Sequence, residues 1–446
     1  MFKMMLPKRK KHLSSFQIII FGFVAVILAG SLFLMLPAAT IDGKSASFAD
    51  SVFTATSAVC VTGLVVQDTA TYWSFFGQFI ILLLIQVGGM GVITVAVLLT
   101  IVSGRKIGLM QRSTLQEAIA APHLGGIVRL TWFIMRGTFL IESIGAIVMA
   151  PVFVKDYGPK GIWYAIFHSI SAFCNAGFDL MGVNQQFSSL TKYVTHPVIN
   201  ITVMLLIIIG GIGFLTWEDI VIKRKQFGKY RMQSKVILTV TAFLILIPTV
   251  YFYFCEFANL PAAERFWSSL FQSVTPRTAG FNTADLTTLT ETGAAIVIIL
   301  MLIGGSPGST AGGMKTTTIA VLFASARAVF KSREDTCMYG RRIAPRVIST
   351  AACILLMYLI LFLGGGLVIS RIEALPLLDC LFETASAIGT VGLTMGITPD
   401  LSMASRTILI FLMFIGRVGG LTLIFATISG TKLQVSRFPQ EKITVG

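Results

Sequence analysis

Four segments of this 446-residue chain are variants of one pattern: FTATSAVCVTGL (53–64), FHSISAFCNAGF (167–178), LFQSVTPRTAGF (270–281) and FETASAIGTVGL (382–393). Aligned on Gly63, Gly177, Gly280 and Gly392, they carry Phe53, Phe167, Leu270 and Phe382 ten residues upstream, and Ser57, Ser171, Val274 and Ser386 six upstream. The bulky Leu64, Phe178, Phe281 and Leu393 follow directly. The intervals are 114, 103 and 112 residues, so the chain is a fourfold repeat. A second landmark trails each glycine by 25, 33, 24 and 24 residues: VGGMG (87–91), IGGIG (209–213), IGGSPG (303–308) and IGRVG (415–419). One such cluster is ordinary in a membrane helix. Four in phase with four glycine strips define a unit.

The flanks of each unit are membrane-spanning. The chain is 55% hydrophobic and 12% charged, against about 25% charged for a soluble domain. Stretches near 16–36, 73–102, 132–154, 198–216, 236–255, 294–330 (interrupted), 347–370 and 408–429 have the roughly 20 residues a helix needs to cross a bilayer core of about 30 Å. The first follows PKRKKHLSS with no convincing cleavage site, and so reads as an anchor. Each unit is then a helix, a re-entrant helix with an extended strip, and a second helix. Two crossings per unit give all units the same orientation, unlike inverted repeats. The expected fold is an all-α polytopic membrane protein whose four units (15–104, 105–222, 223–335, 336–430) close around a pseudo-fourfold pore, with tails at 1–14 and 431–446.

Charge gives the expected orientation. With the termini inside the cell, the inner segments and adjoining span residues hold 27 of the 35 lysines and arginines, including GRKIGLMQR, KRKQFGKYRMQSK and KSREDTCMYGRR. Outside remain eight bases, Arg277 among them, and thirteen acids, a net charge of −5 that concentrates cations. The overall +15 is therefore explained by topology, without nucleic acid. Six cysteines without CxxC spacing read as small core residues, four scattered histidines support no catalysis, and no paired carboxylates or Ser/His/Asp set occur. No enzyme and no bound cofactor are expected.

Non-helical backbone at membrane depth must line a protein-covered or watery cavity. Four strips with carbonyls turned inward can replace the hydration shell of a monovalent cation, and glycine opens backbone paths closed to other residues. The candidate filter residues are Val61, Thr62 and Gly63; Asn175, Ala176 and Gly177; Thr278, Ala279 and Gly280; and Thr390, Val391 and Gly392, with the ion at the four glycines. The preceding helices point their negative C-terminal ends at the same centre.

GGSPGSTAGGMKTTT (304–318) resembles a phosphate loop, but Met314 separates Gly313 from Lys315 and a membrane helix precedes it. Its position favours a gate beneath the filter: Gly304, Gly305, Ser306, Pro307, Gly308, Ser309, Thr310, Ala311, Gly312, Gly313 and Lys315, with the chain restarting as helix near Thr316. The equivalent spans of the other repeats are expected to continue as helix. Arg417 stands where the other repeats have Gly89, Gly211 and Gly305, and a mid-span charge is expensive. It is expected on the pore axis, as an electrostatic barrier and a donor to the loop's carbonyls. Arg136 and Glu142 are read as packing or interhelical-pair residues.

The strips resemble the TVGYG filter of potassium channels cut to its first glycine, TVGL of the fourth repeat being nearest. The whole chain from 15 to 430 resembles the Trk/Ktr/HKT superfamily of cation transporters, and its length and GGSPGSTAGGMKTTT bring it nearest the bacterial Ktr membrane subunits. The resemblance implies a potassium-channel-like fold, potassium uptake, homodimerisation and, as partner, a cytoplasmic nucleotide-binding ring of the KtrA type, with the nucleotide on the partner. Glycine at position 63 goes with potassium over sodium in the plant relatives. Asn175, Ala176 and Ala279 depart from TVG, which implies looser selectivity. A sodium-permeable or sodium-coupled transporter of the same fold is the alternative; an enzyme using 304–318 for phosphate is a remote one.

Overall fold

The computed structural model describes residues 14–103, 108–119 and 126–419. The basic stretch at 104–107, both charged tails and the expected last span beyond 419 lie outside the described residues.

Repeat one contains α1 (Ser15–Leu34), the short helix α2 (Phe48–Val59), α3 (Phe75–Met90) and α4 (Val92–Val102), followed by α5 (Leu109–Ile119). Repeat two has α6 (Ile127–Tyr157), α7 (Lys160–Phe173), α8 (Pro197–Gly211) and α9 (Phe214–Lys223). Repeat three has α10 (Met232–Tyr251), α11 (Ala262–Val274), α12 (Glu291–Leu302) and α13 (Thr316–Phe330). A two-residue hairpin, β1 (Cys337–Met338) paired antiparallel with β2 (Arg341–Arg342), leads to repeat four: α14 (Pro345–Glu373), α15 (Leu377–Gly389) and α16 (Met403–Val418). The unit of helix, short helix, strip and helix recurs four times, and among the described residues the hairpin is the one paired-strand departure from the all-α expectation.

The first helix of each repeat, α1, α6, α10 and α14, is long and apolar enough to span a membrane. The second spans of repeats one and two are not continuous, and the expectation that they run straight is corrected for these two; the continuation of the repeat-four span past 419 lies outside the described residues. α3 and α4 meet at 94°, α8 and α9 at 100°. The cause is local: Gly91, Gly213 and Gly419 end α3, the α8 region and α16 at φ of 87°, 91° and 87°, a left-handed region that favours glycine. The last glycine of each of the first two landmarks is a helix break, Gly419 ends α16, and in repeat three the landmark opens into a loop between α12 and α13.

Serine and threonine start these helices. Ser74, Thr290 and Ser402 accept from the amides of Gly77, Gly293 and Ser405, while α8 begins with Pro197 at its first position. Acids at the ends of the preceding first spans hold two of these caps: Glu256 accepts from the Thr290 amide (2.6 Å) and Glu373 from that of Ser402 (3.0 Å). The core is continuous across the repeats, with Phe53, Phe167, Phe281 and Phe382 almost wholly buried. Repeats one and four are joined by an ion pair, Arg406 Nη1 to Asp50 Oδ1 at 3.2 Å. Cys60, Cys174 and Cys380 are core residues as expected; Cys255, Cys337 and Cys353 are exposed, which corrects the reading of those three.

Candidate functional site

The four strips share one backbone path. Two residues before each glycine the chain turns left-handed, at Val61 (φ 56°), Asn175 (59°), Thr278 (68°) and Thr390 (52°). The glycines follow at 91°, 72°, 80° and 92°. Three of the first group are β-branched, for which this conformation is costly, so something must hold it.

The residue six positions upstream does so. The amides of Thr62, Ala176 and Val391 donate to the carbonyls of Ser57, Ser171 and Ser386, each at 2.8 Å. The Ser57 and Ser386 hydroxyls accept from the amides of Gly63 (3.1 Å) and Gly392 (2.9 Å), and the Ser171 hydroxyl donates to the Phe178 carbonyl (2.7 Å). Val274 has no hydroxyl. Thr275 replaces it, its carbonyl accepting from the Ala279 amide at 2.9 Å and its hydroxyl donating to the Phe281 carbonyl. Thr275 was missed from sequence because it stands one residue late.

The strips form a closed ring. A methyl group placed on Gly63 would strike the carbonyl of Ala176, on Gly177 that of Ala279 (2.7 Å), on Gly280 that of Val391, and on Gly392 that of Thr62. Strip one meets two, two meets three, three meets four and four meets one. The glycines sit where a Cβ has no room and their φ is positive, two independent reasons for the residue type. The Thr62 and Thr390 hydroxyls are buried without a hydrogen-bond partner among the described residues.

The second landmark explains its phase. Cβ atoms on Gly88, Gly210 and Gly416 would meet the carbonyls of Val59, Phe173 and Ile388, each four residues before its strip glycine. The second helix thus lies against the backbone end of its own pore helix. In repeat three the chain has left the helix: Gly304 instead faces the carbonyl of Gly312 at 2.6 Å, and Ile303 bridges to Met314.

That loop packs directly against the strips. The Thr310 hydroxyl lies 3.1 Å from the Phe173 carbonyl and 3.0 Å from Asn175 Oδ1. A Cβ on Gly312 would strike the Thr390 hydroxyl, and one on Gly313 would come within 2.8 Å of the Gly389 carbonyl. The amides of Ser306 and Thr310 donate to Gly211 (3.0 Å) and Gly210 (3.2 Å), that of Gly313 donates to Gly416 (3.2 Å), and the Phe214 amide donates to Gly308 (2.7 Å). Ser309 Oγ reaches the Ser306 carbonyl (2.7 Å), and Pro307 and Ala311 complete the turn between these anchors. The C-terminal ends of α8 and α16 therefore hold the loop of repeat three.

Arg417 closes the set. Its Nη1 donates to the Thr310 carbonyl, and its Nη2 to those of Gly88 and Gly89, the latter at 3.2 Å. One guanidinium joins the loop to the end of α3. Lys315 stays within the loop, donating to the carbonyls of Ala311 (2.8 Å) and Gly312 (3.2 Å). Gly305 receives the Thr316 amide at 3.1 Å. Glu142 makes an interhelical bond, accepting from Gln86 Nε2 at 3.0 Å, while Arg136 covers the Trp132 ring at 5.6 Å. Arg277, counted with the outer charges, is instead 3% exposed beside strip three, with Nη2 donating to Thr241 at 3.2 Å.

Residues 7–433 match the family described as TrkH, cation transport protein. The chain belongs to the TrkH cation transport family. This TrkH-family chain is 39% identical to the Ktr system potassium uptake protein B of Bacillus subtilis over 96% of each chain, and 38% identical to the potassium/sodium uptake protein NtpJ of Enterococcus hirae over 98% of each. The crystal structure of the potassium transporter TrkH from Vibrio parahaemolyticus has the same fold, with a TM-score of 0.73, 21% identity, and coverage of 95% of this chain and 86% of that one. The TrkH-family member described here is thus a membrane transport protein and not an enzyme. Two of the acids expected outside serve structure: Asp68 accepts from the amides of Ala70, Thr71 and Phe187, and Glu383 from Thr398 (2.8 Å) and the Met395 amide.

Proposed function

We propose that the chain carries potassium into the cell along the axis of the four-strip ring, with Val61–Gly63, Asn175–Gly177, Thr278–Gly280 and Thr390–Gly392 as the ion-selecting strips and 304–313 with Lys315 and Arg417 as the gate. The observation that carries this is the closed order of contacts around Gly63, Gly177, Gly280 and Gly392, with the repeat-three loop docked on two of the same strips. Carbonyl rings of this kind substitute for water around a monovalent cation. Uptake is driven mainly by the membrane potential, worth about 2.3 kcal/mol per charge per 100 mV. The unpartnered Thr62 and Thr390 hydroxyls suit a path that carries ions or water. Both termini lie in the cytoplasm, as the basic inner segments favour. The chain works as a homodimer under a nucleotide-binding cytoplasmic ring, a reading supported by the similarity to a Ktr system protein.

Sodium as a second transported or coupling ion is the alternative, favoured by the potassium/sodium name of one relative and by the departures at Asn175, Ala176 and Ala279. Rubidium and sodium uptake into liposomes containing the purified chain distinguishes the readings. Rubidium entry that excess potassium blocks and excess sodium does not supports potassium; equal block supports the alternative; no uptake under an inside-negative potential overturns both.

A further inference from the structure

We propose that the groove between α10, α13 and the β1–β2 hairpin binds the headgroup of an anionic phospholipid of the cytoplasmic leaflet. The inference needs the membrane and the inside orientation, and does not need the ion-path reading. A cavity of about 710 Å3 opens there. On α13, Phe323 and Arg327 stand four residues apart, and Lys331 caps the helix four further on, so the three share one face. Arg333 follows on the same rim. None of these three cations has an ionic partner among the described residues, and the one acid in the cavity, Asp335, is taken by Arg342 at 2.8 Å.

The groove is layered. Arg327 lies about 6 Å along the helix axis from Phe323, and both Phe323 (74% exposed) and Phe243 (59%) present bare rings to the cavity's apolar end. The walls are fixed by the 2.6 Å hydrogen bond between Tyr339 and Thr239, which pins the hairpin to α10. Lys235, which does not line the cavity, donates to the Gly228 carbonyl at 2.7 Å and stands 5.9 Å over the Tyr339 ring. An occupant must therefore be anionic at the helix end and apolar one turn deeper. A free phosphate or nucleotide satisfies the cations and leaves the phenylalanines uncovered; a phospholipid covers both, because its acyl chains already lie in the bilayer beside Phe243 and Phe323. Guanidinium and phosphate make paired, charge-assisted hydrogen bonds, and basic pockets at the cytoplasmic ends of membrane helices suit such headgroups.

The test is native mass spectrometry of the full chain in detergent, titrated with phosphatidylglycerol or phosphatidylcholine. Wild type is expected to retain phosphatidylglycerol at least tenfold better, and the combined variant Arg327→Gln, Lys331→Gln, Arg333→Gln to lose most of that preference. Arg341→Gln with Arg346→Gln, exposed bases outside the cavity, should keep it, as should Arg327→Lys with Arg333→Lys. If the combined variant fails to fold, Arg333→Gln alone, beyond the helix, is expected to lower retention severalfold. Equal retention of the two lipids, unchanged retention in the glutamine variants, or displacement by millimolar inorganic phosphate overturns the proposal. So does a change in oligomeric mass in the variant without loss of lipid, which would assign the groove to a second copy of the chain. Ion flux is not the readout, so failure here leaves the proposed transport untouched.

Discussion

The hydroxyl of Thr310 lies 3.0 Å from the side-chain oxygen of Asn175, so the repeat-three loop and the second strip share a hydrogen bond across 135 positions of sequence. Its single proton serves either Asn175 or the Phe173 carbonyl. Thr310→Val keeps the shape and removes that bond, worth about 1 kcal/mol. Rubidium flux through the partner-free chain is expected to rise roughly fivefold, and Asn175→Ala, which also removes the bond from its side-chain amide to the Arg277 carbonyl (3.3 Å), should combine with it less than additively because the two share the Thr310 contact. Independent effects of the two substitutions would refute the shared latch.

The glycine argument separates strain from collision. Gly392 and Gly396 have nearly the same φ, 92° and 90°, but a Cβ on Gly396 has nothing within 4 Å, whereas one on Gly392 strikes Thr62. Gly396→Ala should cost about 1 kcal/mol of stability and leave the rubidium to sodium flux ratio near wild type. Gly392→Ala and Gly63→Ser should lower that ratio by an order of magnitude. Equal flux ratios in Gly392→Ala and Gly396→Ala would argue that the ring does not select.

Deleting residues 306–312 removes the anchors to Gly210, Gly211 and Phe173 while Gly63, Gly177, Gly280 and Gly392 remain. Flux is expected to increase and to lose dependence on a cytoplasmic regulator. Arg417→Ala removes three donated bonds and should act in the same direction, with a smaller increment on the deletion background. A phosphate-binding loop requires the opposite, with activity abolished by the deletion and by Lys315→Ala. Slower flux in a well-folded deletion variant counts against the gate.

Orientation is tested by labelling. Cysteines at Lys225 and Gly340 should react only from the cytoplasm, and one at Lys44 only from outside. The experiment needs Cys255, Cys337 and Cys353 replaced first, because all three are exposed. Labelling of the Lys225 site from outside reverses the topology.

The partner is tested by charge reversal on the inner face. Lys223 is unsuitable, since it is paired with Asp219 at 2.6 Å and its loss would disturb α9. Arg224→Glu with Lys225→Glu is expected to weaken co-purification with a nucleotide-binding ring. Intact co-purification assigns these charges to topology alone.

The repeat, the pore helices and the strip glycines were legible in the sequence because each imposes a local requirement that recurs at fixed spacing. A helix that crosses a bilayer needs a long apolar run, and a left-handed backbone with no room for a Cβ needs glycine. Gly63, Gly177, Gly280 and Gly392 therefore align without any knowledge of their neighbours. The phase of Gly88, Gly210 and Gly416 was visible too, although not its reason, since the carbonyls of Val59, Phe173 and Ile388 that they must clear belong to other segments. Only the tertiary structure decided what depends on which chain segment arrives from elsewhere. The bends at Gly91 and Gly213, the substitution of Thr275 for a serine, and the bonds from Arg417 to Thr310 and Gly88 are of this kind. A mid-span arginine announces that it must find oxygen atoms. Which oxygens it finds is fixed by closing four repeats into a ring, which brings positions 88, 310 and 417 to one place.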